Sequence, residues 1–505
     1  MIISPAIQLA IVIAILGICI RLYSISAPRQ HLPPGPPSKI FSGNVHQIPK
    51  SEYWRTYQQW SQLYGPIIFF RTFSRRFVVL NTFKSAADLL DSRSSLYSDR
   101  PPAWMQSELV GRKFTVFNIS SQHPRFKIYR KLLHKGLSAR AIQDYRSLIQ
   151  DQSQKLLRSL ADAKGYFVPY LRQNAGAIIL RLAYGWTVNE AHDPFVALVE
   201  EAFALHNVIT KPGRWLVDAF PLLRFVPAWF PGAGFRRKAR EYNLLMTHYD
   251  TAPFTWAKDA ISSKNYAPSF ASYHLCPEDG HVLDEEEQDI VKWCCSALYS
   301  GGADTTVAAM TAFFAAMVMH PDVQRKARCE IEEVIGKEQP RADDEERLPY
   351  VSAVIKETLR WAPPVPLGLP HSVIEEDHYM GYHIPKGTTV IANIWAIAHD
   401  ENIYPDAYSF KPERYLRIDN HEPELDPRKF VFGFGRRVCP GGALFAELSI
   451  FLNIVNILNT FVLRKATDSD GKEITPPLEY TTSVTSHIKP FPCQIIPIAQ
   501  TDILN

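Results

Sequence analysis

The chain has 505 residues, 46% hydrophobic and 21% charged, with a formal net charge of +4. Those proportions exclude a disordered or fibrous chain, and so small a charge on so long a chain gives no electrostatic case for nucleic acid. Seven cysteines, at 19, 276, 294, 295, 329, 439 and 493, form no CxxC pair and no regular spacing, which argues for a reducing compartment over a disulfide framework or a zinc site.

Residues 2–20 carry no charge and are long enough to span a bilayer core of roughly 30 Å as a helix. Arg21, Arg29 and His31 follow directly, so positive charge places the rest of the chain on the cytosolic side. We therefore expect a transmembrane anchor over 1–20 and a basic, proline-rich hinge over 21–37. The hinge ends in Leu32-Pro33-Pro34-Gly35-Pro36-Pro37, where four prolines in five positions favour a stiff extended spacer. A cytosolic body also makes the glycosylation-like Asn118-Ile119-Ser120 an accidental match.

Residues 38–505 show no repeat and no second linker, and read as one large domain, mainly α with a small β portion (α+β). Ile67 to Arg71 and Phe77 to Asn81 are strand-like, with β-branched and aromatic residues. From about 123 to 334 the pattern is helical. Asp284, with Glu287 three positions on, caps a long helix predicted from Glu285 to Met319, and Pro321 and Pro349 each open a further helix. Composition turns strand-like again from about 365 to 395. Between 212 and 235, Trp215, Phe220, Phe225, Trp229, Phe230 and Phe235 precede Arg236, Arg237 and Lys238. Such a stretch suits a membrane interface or a buried loop core.

Phe432-Gly433-Phe434-Gly435-Arg436-Arg437-Val438-Cys439-Pro440-Gly441 is the segment that concentrates chemistry. Its glycines allow a tight loop, its arginines would lower the thiol pKa, and the apolar helix predicted to follow places a helix N-terminus at the sulfur. A lone thiolate there suits an iron ligand or a nucleophile, and no cysteine-hydrolase signature accompanies it. This segment resembles the haem-ligand loop of the cytochrome P-450 family, Phe-x-x-Gly-x-Arg-x-Cys-x-Gly, at every fixed position. Glu357-Thr358-Leu359-Arg360 resembles the family's Glu-x-x-Arg helix, Pro412-Glu413-Arg414-Tyr415 its Pro-Glu-Arg segment, and Gly301-Gly302-Ala303-Asp304-Thr305-Thr306 its oxygen-activating segment. The resemblance spans essentially the whole chain, in family order, and the anchor and hinge are those of microsomal members.

The resemblance implies haem b, iron protoporphyrin IX, with Cys439 as the axial iron ligand and Phe432, Gly435, Arg437 and Gly441 in the cofactor loop. It gives Asp304 and Thr305 proton transfer near dioxygen, and makes Glu357, Arg360 and Arg414 a structural ion-pair network. Arg437, His371 and Arg130 are the matched cations for the two propionates, with a solvated helix face the competing reading for Arg130. Phe126 stands where the family usually carries Trp, so one propionate hydrogen bond is lost. Lys127, Lys131 and Lys135 form a basic stripe that suits an acidic electron donor or simply a solvated face.

The implied activity is a monooxygenase in the endoplasmic reticulum membrane, inserting one oxygen atom from O2 with electrons from NADPH through a cytochrome reductase, with cytochrome b5 a second donor candidate. Trp104, Phe114, Phe117, Ala297, Val365, Leu367, Leu369 and Val484 are pocket candidates without charge, and point to a small apolar substrate; simple core is the competing reading. Trp229-Phe230-Pro231-Gly232 resembles fungal secondary-metabolism members, hence a terpenoid or polyketide type. A haem-thiolate isomerase or dehydratase that uses no O2 is the alternative, against which Asp304-Thr305 argues. A non-enzymatic haem sensor would need an effector domain, for which no segment of the sequence is left over.

Overall fold

The computed structural model describes residues 31–498 except 164, 189–192, 337 and 418–421; the expected anchor and the start of the hinge lie outside the described residues. The architecture is a helical body with small sheets along one side. After α1 (Tyr53–Tyr64) the hairpin β1 (Ile67–Thr72) and β2 (Arg75–Leu80) leads to the main helices. These are α2 (Pro124–Gly136), α3 (Ala139–Ala161), α4 (Val168–Tyr184), α5 (Pro194–Thr210), α6 (Gly234–Ser262), α7 (Glu285–Met319), α8 (Pro321–Val334) and α9 (Pro349–Trp361). Short strands β3 (His371–Ser372), β4 (Asp377–Tyr379), β5 (Tyr382–Ile384) and β6 (Thr389–Ala392) follow, then α10 (Glu447–Thr460) and β7 (Phe461–Thr467), β8 (Glu473–Ile474) and β9 (Cys493–Pro497).

The four-stranded sheet has the order β1-β2-β6-β3. β2 pairs with β1 antiparallel and with β6 in parallel, Phe77 opposite Thr389, so the first strands are closed by a segment near the other end of the domain. The proline run packs on this sheet instead of forming a free spacer. Phe69 N donates to Pro34 O at 2.8 Å, Asn44 Nδ2 donates to Pro36 O at 3.0 Å, and Gly35 lies so close to the Phe69 carbonyl that a Cβ would collide with it. The body therefore begins within the expected hinge.

α7 is the axis of the core. Asp284 accepts from Glu287 N at 2.8 Å while its own N–H donates to the Glu287 carboxylate, which closes the expected capping box. It is apolar and long enough to cross a membrane, but 78% of its most apolar window is buried inside the protein, which makes it a core helix. Gly302 permits its close approach to α4, because a Cβ there would stand 2.8 Å from Ile179 Cδ1. The two glycines differ in what they face: Gly302 meets α4, while Gly301 faces the Phe117 ring, its Cβ position 3.6 Å from Cζ. α8 and α9 each begin at the expected proline.

Candidate active site

From Trp293 to Val318 every residue of α7 is buried except Ser300, Gly301, Gly302 and Thr305. Surface in the middle of a core helix belongs to interior space, and these residues border it. Thr305 Oγ1 donates to Gly301 O at 2.7 Å, keeping the hydroxyl in the helix groove. Ala297, one turn earlier, is buried.

Cys439 opens onto interior space as well. It is exposed and has no disulfide partner, yet the fold encloses its sulfur, and burial pushes the thiol pKa up. The loop is held by Cys439 N donating to Phe432 O at 2.8 Å. Gly435, at φ +54, donates to Asp91 and leaves no room for a Cβ against the Leu90 carbonyl, and Gly442 would place one 2.5 Å from the Phe432 ring. The expectation that Arg436 and Arg437 depress the thiol pKa is not met. Arg436 is exposed, and Arg437 donates to the carbonyls of Ser98 (2.8 Å), Val116 (3.3 Å) and Ile119 (2.5 Å). What opposes burial is the Gly441 amide, the Arg130 charge and the Gly442 amide. Arg130 donates to Val438 O at 2.8 Å, beside the sulfur.

Beside this loop lies a cluster of cations. Arg100, which the sequence did not single out, donates to Phe117 O at 2.8 Å, Leu369 O at 2.8 Å and Pro370 O at 2.7 Å. Burial and the neighbouring Arg437 lower its pKa, and burial takes Arg437 down to about 10. Neither guanidinium has a carboxylate ion pair among the described residues; Asp99 acts on both only through its field. His371 Nδ1 donates to Tyr97 O at 2.7 Å, and burial, with Arg100 and Arg437, lowers it to about 3, so its ring is neutral. Buried cations without counter-charge are costly and suit a dianionic ligand. With an unpaired sulfur opening onto the same region, the donor set fits haem. Phe126 gives Arg437 a ring face at 4.2 Å, so the position that cannot donate supports the cation instead.

The remaining walls meet through side-chain and backbone contacts. Arg437 and Arg100 hold the carbonyls of 116, 117 and 119, and Phe117 reaches Gly301, so the cysteine loop and α7 border one space. Val365, Leu367 and Leu369 are half-buried, and Ser486 N donates to Pro364 O at 2.8 Å, which brings Val484 and the C-terminal loop alongside. Trp104 lies under Arg224, whose guanidinium sits 3.9 Å above its ring. Phe114 is displaced from the expected set: 37% exposed, it packs among Lys113, His123 and Arg125 near the ion pairs that Arg125 makes with Glu286 and Asp289.

Charged groups also lie near this space, beyond the uncharged pocket candidates. Asp304 Oδ1 is 3.0 Å from His487 Nε2 and 3.4 Å from Arg172 Nη1. Burial works to raise the carboxyl pKa, but His487, Arg172 and Thr485 together hold it below the ordinary value. Buried Arg112 pairs with buried Asp250, which also accepts from Ser296 Oγ at 2.5 Å. His206 on α5 is influenced by both Arg112 and Asp304. Asp304 belongs to the segment already read from the sequence, but His487, Arg172, Arg112, Asp250 and His206 share no local motif with it and are brought near by partners far away in sequence, so no spacing rule could find them.

The sequence profile of the cytochrome P-450 family matches residues 33–492. The chain belongs to this family. Cytochrome P-450 monooxygenase claR of Ampulloclitocybe clavipes is 40% identical over 93% of this chain and 87% of its own length. Cytochrome P-450 monooxygenase 208 of Postia placenta is 39% identical over 93% and 91%, and cytochrome P-450 monooxygenase ppsD of Aspergillus oryzae 34% identical over 96% and 93%. The protein is accordingly a haem-thiolate monooxygenase with fungal secondary-metabolism relatives.

In this cytochrome P-450 the Glu357 carboxylate is fully buried and takes Arg360 Nε at 2.7 Å and Nη2 at 2.8 Å. Arg414 Nε adds a contact at 3.4 Å, Lys411 N donates at 2.8 Å and Tyr415 OH at 3.2 Å. Arg360 Nη1 also donates to Ala398 O and Ala407 O, both at 2.7 Å. These contacts tie α9 to the segment that precedes the cysteine loop. Removing one partner from such a group would leave a buried charge, at a cost of about 3–5 kcal/mol.

Proposed function

We propose a membrane-anchored cytochrome P-450 that inserts one oxygen atom from O2 into a small, mainly apolar terpenoid- or polyketide-type molecule, with electrons from NADPH through a cytochrome reductase. The observation that carries it is the Asp304-Thr305 pair beside the Gly301 step, bordering the interior space onto which Cys439 opens. In this reading Cys439 would ligate the haem iron, Arg437, Arg100, Arg130 and His371 would hold the propionate side, and Phe432, Gly435 and Gly441 shape the loop. The haem, when bound, supplies dioxygen binding and electron-rich thiolate ligation. Thr305 holds a proton at Oγ1, and Asp304 delivers protons to it from the His487 side. Phe117, Ala297, Val365, Leu369 and Val484 exclude water and orient the substrate, with Trp104 and Leu367 behind them.

Anchoring is supported by one exposed apolar face. Phe41 stacks on Phe220 at 6.5 Å and meets Phe73 edge-on at 5.9 Å, which brings the residues just after the proline run against the 212–235 stretch. Leu222 (79%), Phe225 (66%) and Trp229 (80%) are exposed there, near Arg224, Arg236 and Arg237, whereas Trp215 is buried. Such a surface suits the headgroup region of the endoplasmic reticulum membrane.

The test is purified full-length protein with reductase. A thiolate-type Soret band in the reduced CO-difference spectrum, NADPH-dependent O2 uptake and label from isotopic dioxygen in the product are expected. Product formation without O2 uptake would replace this reading with the isomerase one.

A further inference from the structure

We propose that His206 selects a substrate that already carries a hydroxyl or ketone oxygen, by hydrogen-bonding that oxygen from α5. This rests on the terpenoid- or polyketide-type reading above and narrows it.

Leu198, Ala202 and Ile209 form the buried stripe of α5, and His206 falls on the same stripe, four residues beyond Ala202. An imidazole at such a position ordinarily finds a protein partner. Among the described residues the His206 ring makes no hydrogen bond, while its backbone lies within α5 and its carbonyl also accepts from Thr210 Oγ1 at 2.8 Å. Nor are its nitrogens sealed from accessible space, since they are absent from the buried polar atoms that lack a partner. The side chain is half-buried while the fold surrounds it, within reach of the charges of buried Arg112 and Asp304, so the ring faces interior space.

The neighbouring charged groups are already engaged, Asp304 by His487 and Arg172 and Arg112 by Asp250. The Tyr184 and Tyr249 hydroxyls, whose fields reach Arg112, lack a partner but are sealed from accessible space, whereas the His206 ring is unpaired and not sealed. Burial and the Arg112 charge, opposed by Asp304, push the imidazole down to about 4. At neutral pH it is therefore uncharged, with one N–H and one lone pair. That complement matches an alcohol or a ketone better than a carboxylate, which calls for a cation. An oxygenation, a water-terminated cyclisation or, for a polyketide, a condensation of acyl units that leaves a carbonyl in place must then supply the substrate before this enzyme acts.

The test uses the full-length haem-loaded protein and optical spin-state titrations, with reduced CO-difference spectra to check that each variant holds haem normally. The probes are two skeletons, drimane and abietane, each as hydrocarbon, hydroxyl derivative and keto derivative. The wild type is expected to bind the oxygenated members at least about tenfold tighter than the hydrocarbon, about 1.4 kcal/mol. His206→Leu, with His206→Phe as a second apolar variant, should bring that ratio to within twofold, and His206→Gln should retain most of it. An unchanged ratio in the apolar variants, or wild-type binding of the hydrocarbons alone, overturns the inference and leaves the terpenoid reading standing. No shift with any probe overturns the terpenoid half of that reading and, with it, the inference for terpenoid substrates.

Discussion

Asp304 takes its properties from residues that its own motif does not contain. Glycine, carboxylate and hydroxyl stand adjacent in sequence, so the candidate segment was legible; His487 and Arg172, which set the state of the carboxylate, come from the C-terminal loop and α4. Cys439 behaves similarly, because the cation that reaches its sulfur is Arg130 on α2 and not its chain neighbours. Thr305→Ala should keep the CO-difference spectrum while a several-fold smaller share of NADPH electrons reaches product, with the remainder released as hydrogen peroxide; unchanged coupling would count against a role for its proton. Glu447, at the start of α10, gives a second residue-scale prediction. Burial pushes its carboxyl from an ordinary 4.5 to about 7, against the opposing charge of Arg428. The folded chain then holds the proton more tightly than the unfolded chain, so stability falls as pH rises from about 4.5 through 7 and levels off above. Glu447→Gln should raise the melting temperature at pH 8, with the gain shrinking toward pH 5.

At the scale of elements, the sequence reading was strongest where local chemistry decides the outcome. The Asp284 cap fixes the start of α7, and Pro321 and Pro349 open α8 and α9. What it missed follows from packing: Gly302 answers to Ile179 on a different helix, and Gly435 to the Leu90 backbone, contacts no periodicity displays. α2 shows both faces of this. Phe126, Tyr129 and Leu133 are buried, while Lys127, Lys131 and Lys135 are exposed without an ion pair among the described residues, although Lys135 sits 4.8 Å over the Tyr273 ring. The same helix carries Arg130 to the cysteine loop, so a donor docked on its lysines would sit on the thiolate side. Lys127→Glu with Lys131→Glu should slow reduction by the reductase several-fold at low salt. Stopped-flow rates of the two proteins should converge near about 1 M salt, where the screening length is about 3 Å.

For the whole molecule, the exposed aromatic face and the packed proline run would together set how the body meets a bilayer under the proposed anchoring. Because Pro33 to Pro37 lie along β1 and do not swing freely, the described chain joins the body at one fixed place, where His31 stacks on Tyr382 and its carbonyl accepts from His383 N, and it reaches Phe41 and Phe220 after the proline run. In nanodiscs containing brominated lipid, Trp229 should be strongly quenched, and Trp229→Phe should remove that quenched fraction of the fluorescence. Equal quenching in both proteins would place the face away from the membrane. The parallel pairing of β2 with β6 bears on biogenesis. Phe77 leaves the ribosome long before Thr389, its partner. At about 5–20 residues per second, β2 waits roughly 15 to 60 s with that edge unpaired. Loop closure over such a separation is slow and exposes strand edges to aggregation. The helices between them can form during synthesis, but the sheet that carries the proline run is completed only after most of the chain has emerged.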